Sequence, residues 1–248
     1  MLTSLHRCLY RFGTFLSEVV PSSCALCKAQ CSSGICPNCR SLFFNPNQLR
    51  CFRCAGIMHQ TVNDEPALCG TCLKNPPAFD ATITATDYIP PVDQLVQSLK
   101  FGANLALAPL FSAMLADAVL ASGSTMRMPS ILTAVPLGQQ RLQERGFNQS
   151  LEIAKALSKR LSIRLVPQLA VRTRETSAQA LLPPKERRKN VRNAFVIPYD
   201  ALSSIKDQHI GIVDDVITTG ETLHELAATF KRFGAASVTS LVFARTPA

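Results

Sequence analysis

The segment His-Ile-Gly-Ile-Val-Asp-Asp-Val-Ile-Thr-Thr-Gly-Glu-Thr, residues 209–222, constrains the fold more tightly than any other stretch of the chain. Ile210, Ile212 and Val213 form a short β-branched run that ends on two acids, the pattern of a buried parallel strand. In open α/β sheets ligands lie beyond the carboxyl ends of the strands, which places Asp214 and Asp215 at a binding edge. Two adjacent carboxylates repel each other, and they are tolerated where their partners are hydroxyls or a divalent cation. Thr218, Thr219, Gly220 and Thr222 then supply hydroxyls and backbone N–H groups at a helix start, where the macrodipole favours an anion such as a phosphate monoester. Leu223, Leu226, Ala227 and Phe230 repeat at helical spacing, and Gly234 follows Lys231 and Arg232 as a stop. A nucleotide P-loop is excluded, because no Gly-Lys-Ser/Thr ending is present.

Eight of the ten cysteines fall as Cys-x-x-Cys pairs: Cys24 with Cys27, Cys36 with Cys39, Cys51 with Cys54, and Cys69 with Cys72. Two thiolates at this spacing reach one tetrahedral ion, so four pairs suffice for two sulfur-only zinc sites. Neighbouring or alternate pairs can share an ion; the preferred grouping is 24, 27, 36 and 39 on one and 51, 54, 69 and 72 on the other. A disulfide framework needs export to an oxidising compartment, for which there is no signal. Redox exchange is disfavoured, since the pairs lie outside a strand-helix context. Cys8 and Cys31 stand outside the pattern. A closed set of four thiolates leaves zinc no position for water, so these sites stabilise or contact partners and do not catalyse.

At 248 residues and 47% hydrophobic, the chain can bury a full core and carry a small second domain. No apolar stretch approaches the roughly 20 residues that cross a bilayer. Arg7 and Arg11 precede an apolar run broken by Ser17 and Glu18, which reads as a docking helix over 1–20 and not as a signal peptide. A cytoplasmic protein is expected. The net charge of +9 is localised: residues 141–192 hold thirteen Lys/Arg against four Asp/Glu, and the remainder balances. Such a block captures anions, a pyrophosphate or a nucleic acid.

Strands are expected at 81–88, 131–135, 163–166, 194–197, 210–213 and 237–243, and helices at 92–100, 105–121, 149–161 and after Gly220. Their alternation gives an α/β fold with a largely parallel sheet flanked by helices. Between the 131 strand and the 149 helix, a Gly-containing loop carries Arg141 and Arg145, two guanidinium forks suited to a diphosphate. The alternative there is a solvated basic loop with Asn148 as helix cap.

The segment around Asp214 resembles the phosphoribosyl pyrophosphate (PRPP) motif of the type I phosphoribosyltransferases. That resemblance implies that Asp214 and Asp215, beside Val213, hold ribose hydroxyls and serve catalysis, and that Thr218, Thr219, Gly220, Glu221 and Thr222 cradle the 5′-phosphate. Cysteine ribbons, then Arg141-Leu-Gln-Glu-Arg-Gly-Phe-Asn-Gln149, then Arg172-Thr-Arg-Glu-Thr-Ser-Ala-Gln179 leading to Glu186-Arg-Arg-Lys-Asn-Val-Arg-Asn-Ala-Phe195, then the PRPP motif, are together similar to the ComF family. Membership implies a double zinc ribbon over 21–75, a type I phosphoribosyltransferase fold over 79–248, magnesium with PRPP, and a link to DNA uptake and its proteins. Residues 172–192 correspond to the hood of such enzymes, with Arg187 joining Arg141 and Arg145 on pyrophosphate, or the basic run gripping single-stranded DNA. Two functions stay open: transfer of a phosphoribosyl group to an unnamed acceptor, or a PRPP-responsive DNA-handling protein without turnover. With Trp absent, DNA binding would be led by the backbone.

Overall fold

The computed structural model describes residues 22–45, 48–58, 66–123, 126–173 and 193–247. The expected helix over 1–20 and Arg187 lie outside them. Two compact units divide between Asn45 and Pro46.

The first unit is small. Strands β1 (Ser22–Ser23) and β2 (Gln30–Cys31) pair antiparallel, and helix α1 (Pro37–Phe43) follows. Cys36 caps α1 through its sulfur, which accepts from Cys39 N, and Pro37 opens the helix where its missing N–H costs nothing.

The second unit begins with the other cysteine segment, which carries the short helix α2 (Gly70–Lys74). Then come β3 (Ala81–Asp87), α3 (Val92–Phe101), α4 (Leu107–Ala121), β4 (Ile131–Ala134), α5 (Gln139–Arg145), α6 (Gln149–Leu161) and β5 (Arg164–Leu165). The chain continues through β6 (Val171–Arg172), β7 (Phe195–Val196), β8 (His209–Ile217), α7 (Glu221–Arg232) and β9 (Ser237–Arg245). Five strands form one parallel sheet in the order β3-β9-β8-β4-β5. This is the doubly covered α/β architecture that alternating strands and helices imply.

Strand β8 lies in the middle, buried from Ile210 to Val213. On one face Leu223, Leu226, Ala227 and Phe230 of α7 pack with Ile210, Ile212, Val238 and Val242. Side chains alternate along a strand, so Phe243 points to the opposite face, where it stacks on Phe111 of α4. Helices α4 and α6 pack together on the sheet. The free edge of β3 is covered by the cysteine segment of the same unit: Thr82 N donates to Phe52 O at 3.1 Å and Thr82 Oγ1 to Arg53 O at 2.7 Å. Arg50 clamps Asp87 with two bonds of 2.9 and 3.0 Å. A covered edge cannot recruit a foreign strand.

Two local expectations need correction. The strand at 194–197 shrinks to Phe195–Val196 and pairs antiparallel with Val171–Arg172, outside the parallel sheet. The stretch expected as a loop before the 149 helix contains α5, which buries none of its residues and so shows no apolar periodicity to betray it.

Truncating the fully buried Phe230 removes a ring from the α7 face of the core. Phe230→Ala is expected to lower stability by about 3–5 kcal/mol, read as a shift of the denaturation midpoint.

Candidate functional site

Beyond the carboxyl end of β8 opens a cavity of about 700 Å³. Asp214, Asp215, Thr218, Gly220 and Thr222 line one side of it, and Lys100, Phe101, Arg141 and Arg145 contribute basic and aromatic walls. The local sequence explains the first side. The apolar strand runs straight into the acids, and Gly220 turns the chain into α7 with φ of 82°, a conformation that L side chains rarely adopt. A Cβ there would also meet Ile217 Cδ1 at 3.4 Å and the Phe79 ring at 3.5 Å. Thr219 is exposed, and neither it nor Glu221 lines the cavity. Val213 is fully buried, and its carbonyl accepts from Val135 N at 3.0 Å.

The two acids are held differently. Asp215 is 3% exposed and forms an ion pair with Lys100 of α3 at 2.6 Å. Asp214 Oδ1 accepts from Ser150 Oγ at 2.8 Å and from Asp215 N at 2.9 Å. Burial and the Asp215 charge push the Asp214 carboxyl up to about 7, against the smaller pull of Ser150 and Lys100. Burial also acts to raise Asp215, but the Lys100 ammonium outweighs it and leaves that carboxyl below its ordinary value. One acid is therefore firmly ionised and the other poised near neutrality. Neither Lys100 nor Ser150 was singled out by sequence reasoning. Lys100 sits in an ordinary amphipathic helix, and nothing local to it announces a partner 115 positions away.

Arg141 and Arg145 both lie on α5. Arg145 donates to Gln149 Oε1, and its guanidinium stands 5.4 Å from the centroid of the Phe101 ring. Burial lowers Arg145 from its ordinary value while Asp215 works in the opposite sense. The start of α6 is not open to an anion, because Asn148 Oδ1 accepts from Ser150 N at 3.0 Å and Leu151 N at 3.3 Å. Asn148 Nδ2 also donates to Val135 O at 3.0 Å, which fixes the cap to the end of β4. His224, on α7, accepts at Nδ1 from Ala78 N at 3.0 Å.

The cysteines gather as neighbours. Sulfurs of Cys24, Cys27, Cys36 and Cys39 lie within 4.8 Å of one another, and so do those of Cys51, Cys54, Cys69 and Cys72. Among the described residues no cysteine is in a disulfide. Thiolates about 2.3 Å from a tetrahedral ion stand about 3.8 Å apart; Cys54 and Cys69 are 3.8 Å apart, and Cys27 and Cys36 3.6 Å. Both sets fit a metal ion.

Charge crowding shows in their acidities. Burial opposes ionisation of Cys24, yet backbone N–H groups of Cys27, Cys36 and Leu26 bring its thiol down to about 6. Burial, then its three neighbours, raise Cys39 to about 12. In the other set the Cys54 thiol and backbone bonds hold Cys51 near 4, while burial and the Cys51 charge lift Cys72 to about 12. A cation is what lets all four sulfurs ionise together.

Residues 148–248 match the phosphoribosyl transferase domain. Over 232 residues the chain is 34% identical to the DNA utilization protein YhgH of Escherichia coli strain K12, spanning 92% of this chain and 98% of that protein. It is 29% identical over 204 residues to the competence protein F of Haemophilus influenzae, spanning 82% and 86%. The chain belongs to the ComF family. Among solved structures, the adenine phosphoribosyltransferase of Thermoanaerobacter pseudethanolicus aligns with 56% of this ComF chain and 82% of its own at 17% identity and a TM-score of 0.33. That similarity is too low to bear on the site.

The raised Asp214 carboxyl predicts how the stability of this ComF protein varies with pH. From its ordinary 3.8 up to about 7 the native state holds a proton that the unfolded chain has released. Its contribution is complete below about pH 4 and is lost as pH rises through 7. Thermal melts should show the wild type losing stability relative to Asp214→Asn between pH 5 and pH 8, with parallel curves counting against the assignment.

Proposed function

We propose that this protein binds PRPP with magnesium and transfers its phosphoribosyl group to an acceptor in the handling of DNA. One observation carries the reading: paired acids and a threonine-glycine helix start share a single cavity with Lys100, Arg141 and Arg145. In this reading Thr218, Thr222 and the amides opening α7 bind the 5′-phosphate. Asp214 and Asp215 hold the ribose hydroxyls, and Arg141 and Arg145 the diphosphate, with Arg187 as a further candidate. Magnesium, held with the ligand beside the acids, supplies charge neutralisation for the departing diphosphate.

In the reaction the acceptor's lone pair forms a bond to C1 of the ribose. The C1–O bond breaks, and its electron pair leaves with the diphosphate. Arginines aimed at that group stabilise the charge as it develops. The acceptor's proton needs a base, and Asp214 suits that task better than Asp215, since a carboxyl near 7 exchanges protons where one paired with lysine does not.

The names of the relatives, competence and DNA utilization, favour a second reading in which PRPP regulates binding of single-stranded DNA without turnover. Thirteen Lys/Arg against four acids in 141–192 support it. In either reading the cysteine sets hold structural zinc, and the protein acts in the cytoplasm; among the described residues no helix is long and apolar enough to cross a membrane.

Calorimetric titration of PRPP with magnesium tests the shared core. Hydrogen bonds to charged groups contribute about 1.5–3 kcal/mol each. Changing Asp214 and Asp215 together to Asn should therefore weaken binding by roughly 100-fold or more. Undiminished binding in that variant would sink the assignment. Diphosphate release in the presence of candidate acceptors then separates the two readings. Tight binding without release, together with single-strand binding that weakens steeply in salt, supports the second. Elemental analysis should give two zinc ions per chain.

A further inference from the structure

Arg245 ends β9, and its backbone is fixed on both sides. Tyr88 N donates to its carbonyl at 2.7 Å, and in the sheet it stands opposite Asp87 of β3 and Ile217 of β8. Its side chain turns toward the second cysteine set. A Cβ built on Gly56 would lie 3.4 Å from Cys54 Sγ, 3.7 Å from Arg245 Nε and 3.8 Å from its Nη2. Sulfur and guanidinium thus flank one small glycine, each within ordinary contact distance of a carbon placed there.

Nε and Nη1 of Arg245 are buried, and no hydrogen-bond acceptor among the described residues meets either. Buried guanidinium nitrogens without an acceptor are costly, and this charge does not disappear by deprotonation. Asp87, the register partner of Arg245 on β3, already receives both prongs of Arg50. The cysteine set lies across Gly56 from Arg245. Four thiolates around one divalent cation keep a net charge of about −2, spread over sulfurs that accept hydrogen bonds.

We propose that Arg245 is the outer-sphere counter-charge of the metal-loaded set of Cys51, Cys54, Cys69 and Cys72, and that this contact ties metal occupancy to the end of β9 beside the cavity. The route is short. Tyr88 and Ile217 both line the cavity; Tyr88 N is bonded to Arg245 O, and Thr246 N donates to Ile217 O at 2.9 Å. Zinc at this set, the reading given above, is presupposed.

The test uses the full zinc-loaded chain, with chelator-driven release followed alongside alkylation of each cysteine mapped by mass spectrometry. A wild type carrying no metal on Cys51, Cys54, Cys69 and Cys72 would defeat the zinc reading itself, before Arg245 is tested. With metal present, Arg245→Gln is expected to hold it about 10- to 100-fold more weakly at this set, the usual range for outer-shell partners. Protection of Cys24, Cys27, Cys36 and Cys39 should be unchanged. Arg245→Lys should restore most of the retention, and hydrogen exchange at the Tyr88 and Thr246 amides should quicken in the Gln variant and slow again in the Lys variant. Unchanged retention in Arg245→Gln, equal weakening of both sets, or a Lys variant no better than Gln overturns the counter-charge role. Weakened retention with unaltered exchange overturns the link to the cavity.

Discussion

Adjacent carboxylates at the end of a central strand are an electrostatic burden that the surrounding structure must offset. Asp214 and Asp215 stand near the end of β8 before buried Ile217, the first half-buried and the second almost fully buried, where little water screens them. Lys100 meets one at 2.6 Å, and Ser150 with the Asp215 amide meets the other. Those contacts reach across the fold: Lys100 comes from α3 and Ser150 from the start of α6, while the acids belong to the sheet. Holding the pair therefore fixes two helices relative to the strand, and Lys100 joins the cavity wall as a consequence. A low-charge resting state also follows. Lysine balances one acid, the other sits near neutrality, and the acidic side of the cavity presents little net charge to an incoming phosphate.

A metal ion, which both cysteine sets could hold, would solve a different problem, that of short segments with too little apolar surface to fold by burial. The first unit ends at Asn45, a size at which a core alone is rarely sufficient. Its most buried side chains include Cys24, Ile35, Cys36 and Cys39, so thiols occupy the place of a core. The second set is bound into the larger unit, where Phe52, Arg53 and Arg50 bond to β3. There the cysteine segment does what a covering helix does elsewhere: it closes a sheet edge.

What could be read from the sequence was local in origin. The strand, acids, turn and helix of 209–232 are contiguous, so their order alone specified a buried strand, a sharp turn at Gly220 and an amphipathic helix. The cysteine pairs were legible for the same reason, whereas their sharing of an ion was open between neighbouring and alternate pairs, and the fold brings the preferred neighbours together. Lys100 and Ser150 were invisible because their importance lies in partners 115 and 64 residues away, and neither breaks the pattern of its own helix. Helix α5 was missed because it buries nothing and so carries no apolar period. Phe195–Val196 looked like sheet material and instead forms a two-residue ribbon with Val171–Arg172, a choice set by where the chain runs and not by its apolar content.

The placement of α5 bears on how an anion would be held. An ideal helix start offers free amides, but Asn148 occupies those of α6 and fastens the cap to Val135. The start of α7 differs, for Gly220 is its cap residue and has no side chain to turn back on the amides. In the proposed binding mode, amide-based recognition falls at the threonine-glycine turn and guanidinium-based recognition at α5, on another side of the same cavity. Backbone amides at a fixed turn discriminate shape and suit a compact monoester, whereas long arginine side chains tolerate a group that changes charge and departs. A ligand with one phosphate to be retained and a diphosphate to be lost fits that division better than two equivalent phosphates would. The asymmetry comes down to one side chain: asparagine caps one helix start, and glycine brings no capping side chain to the other.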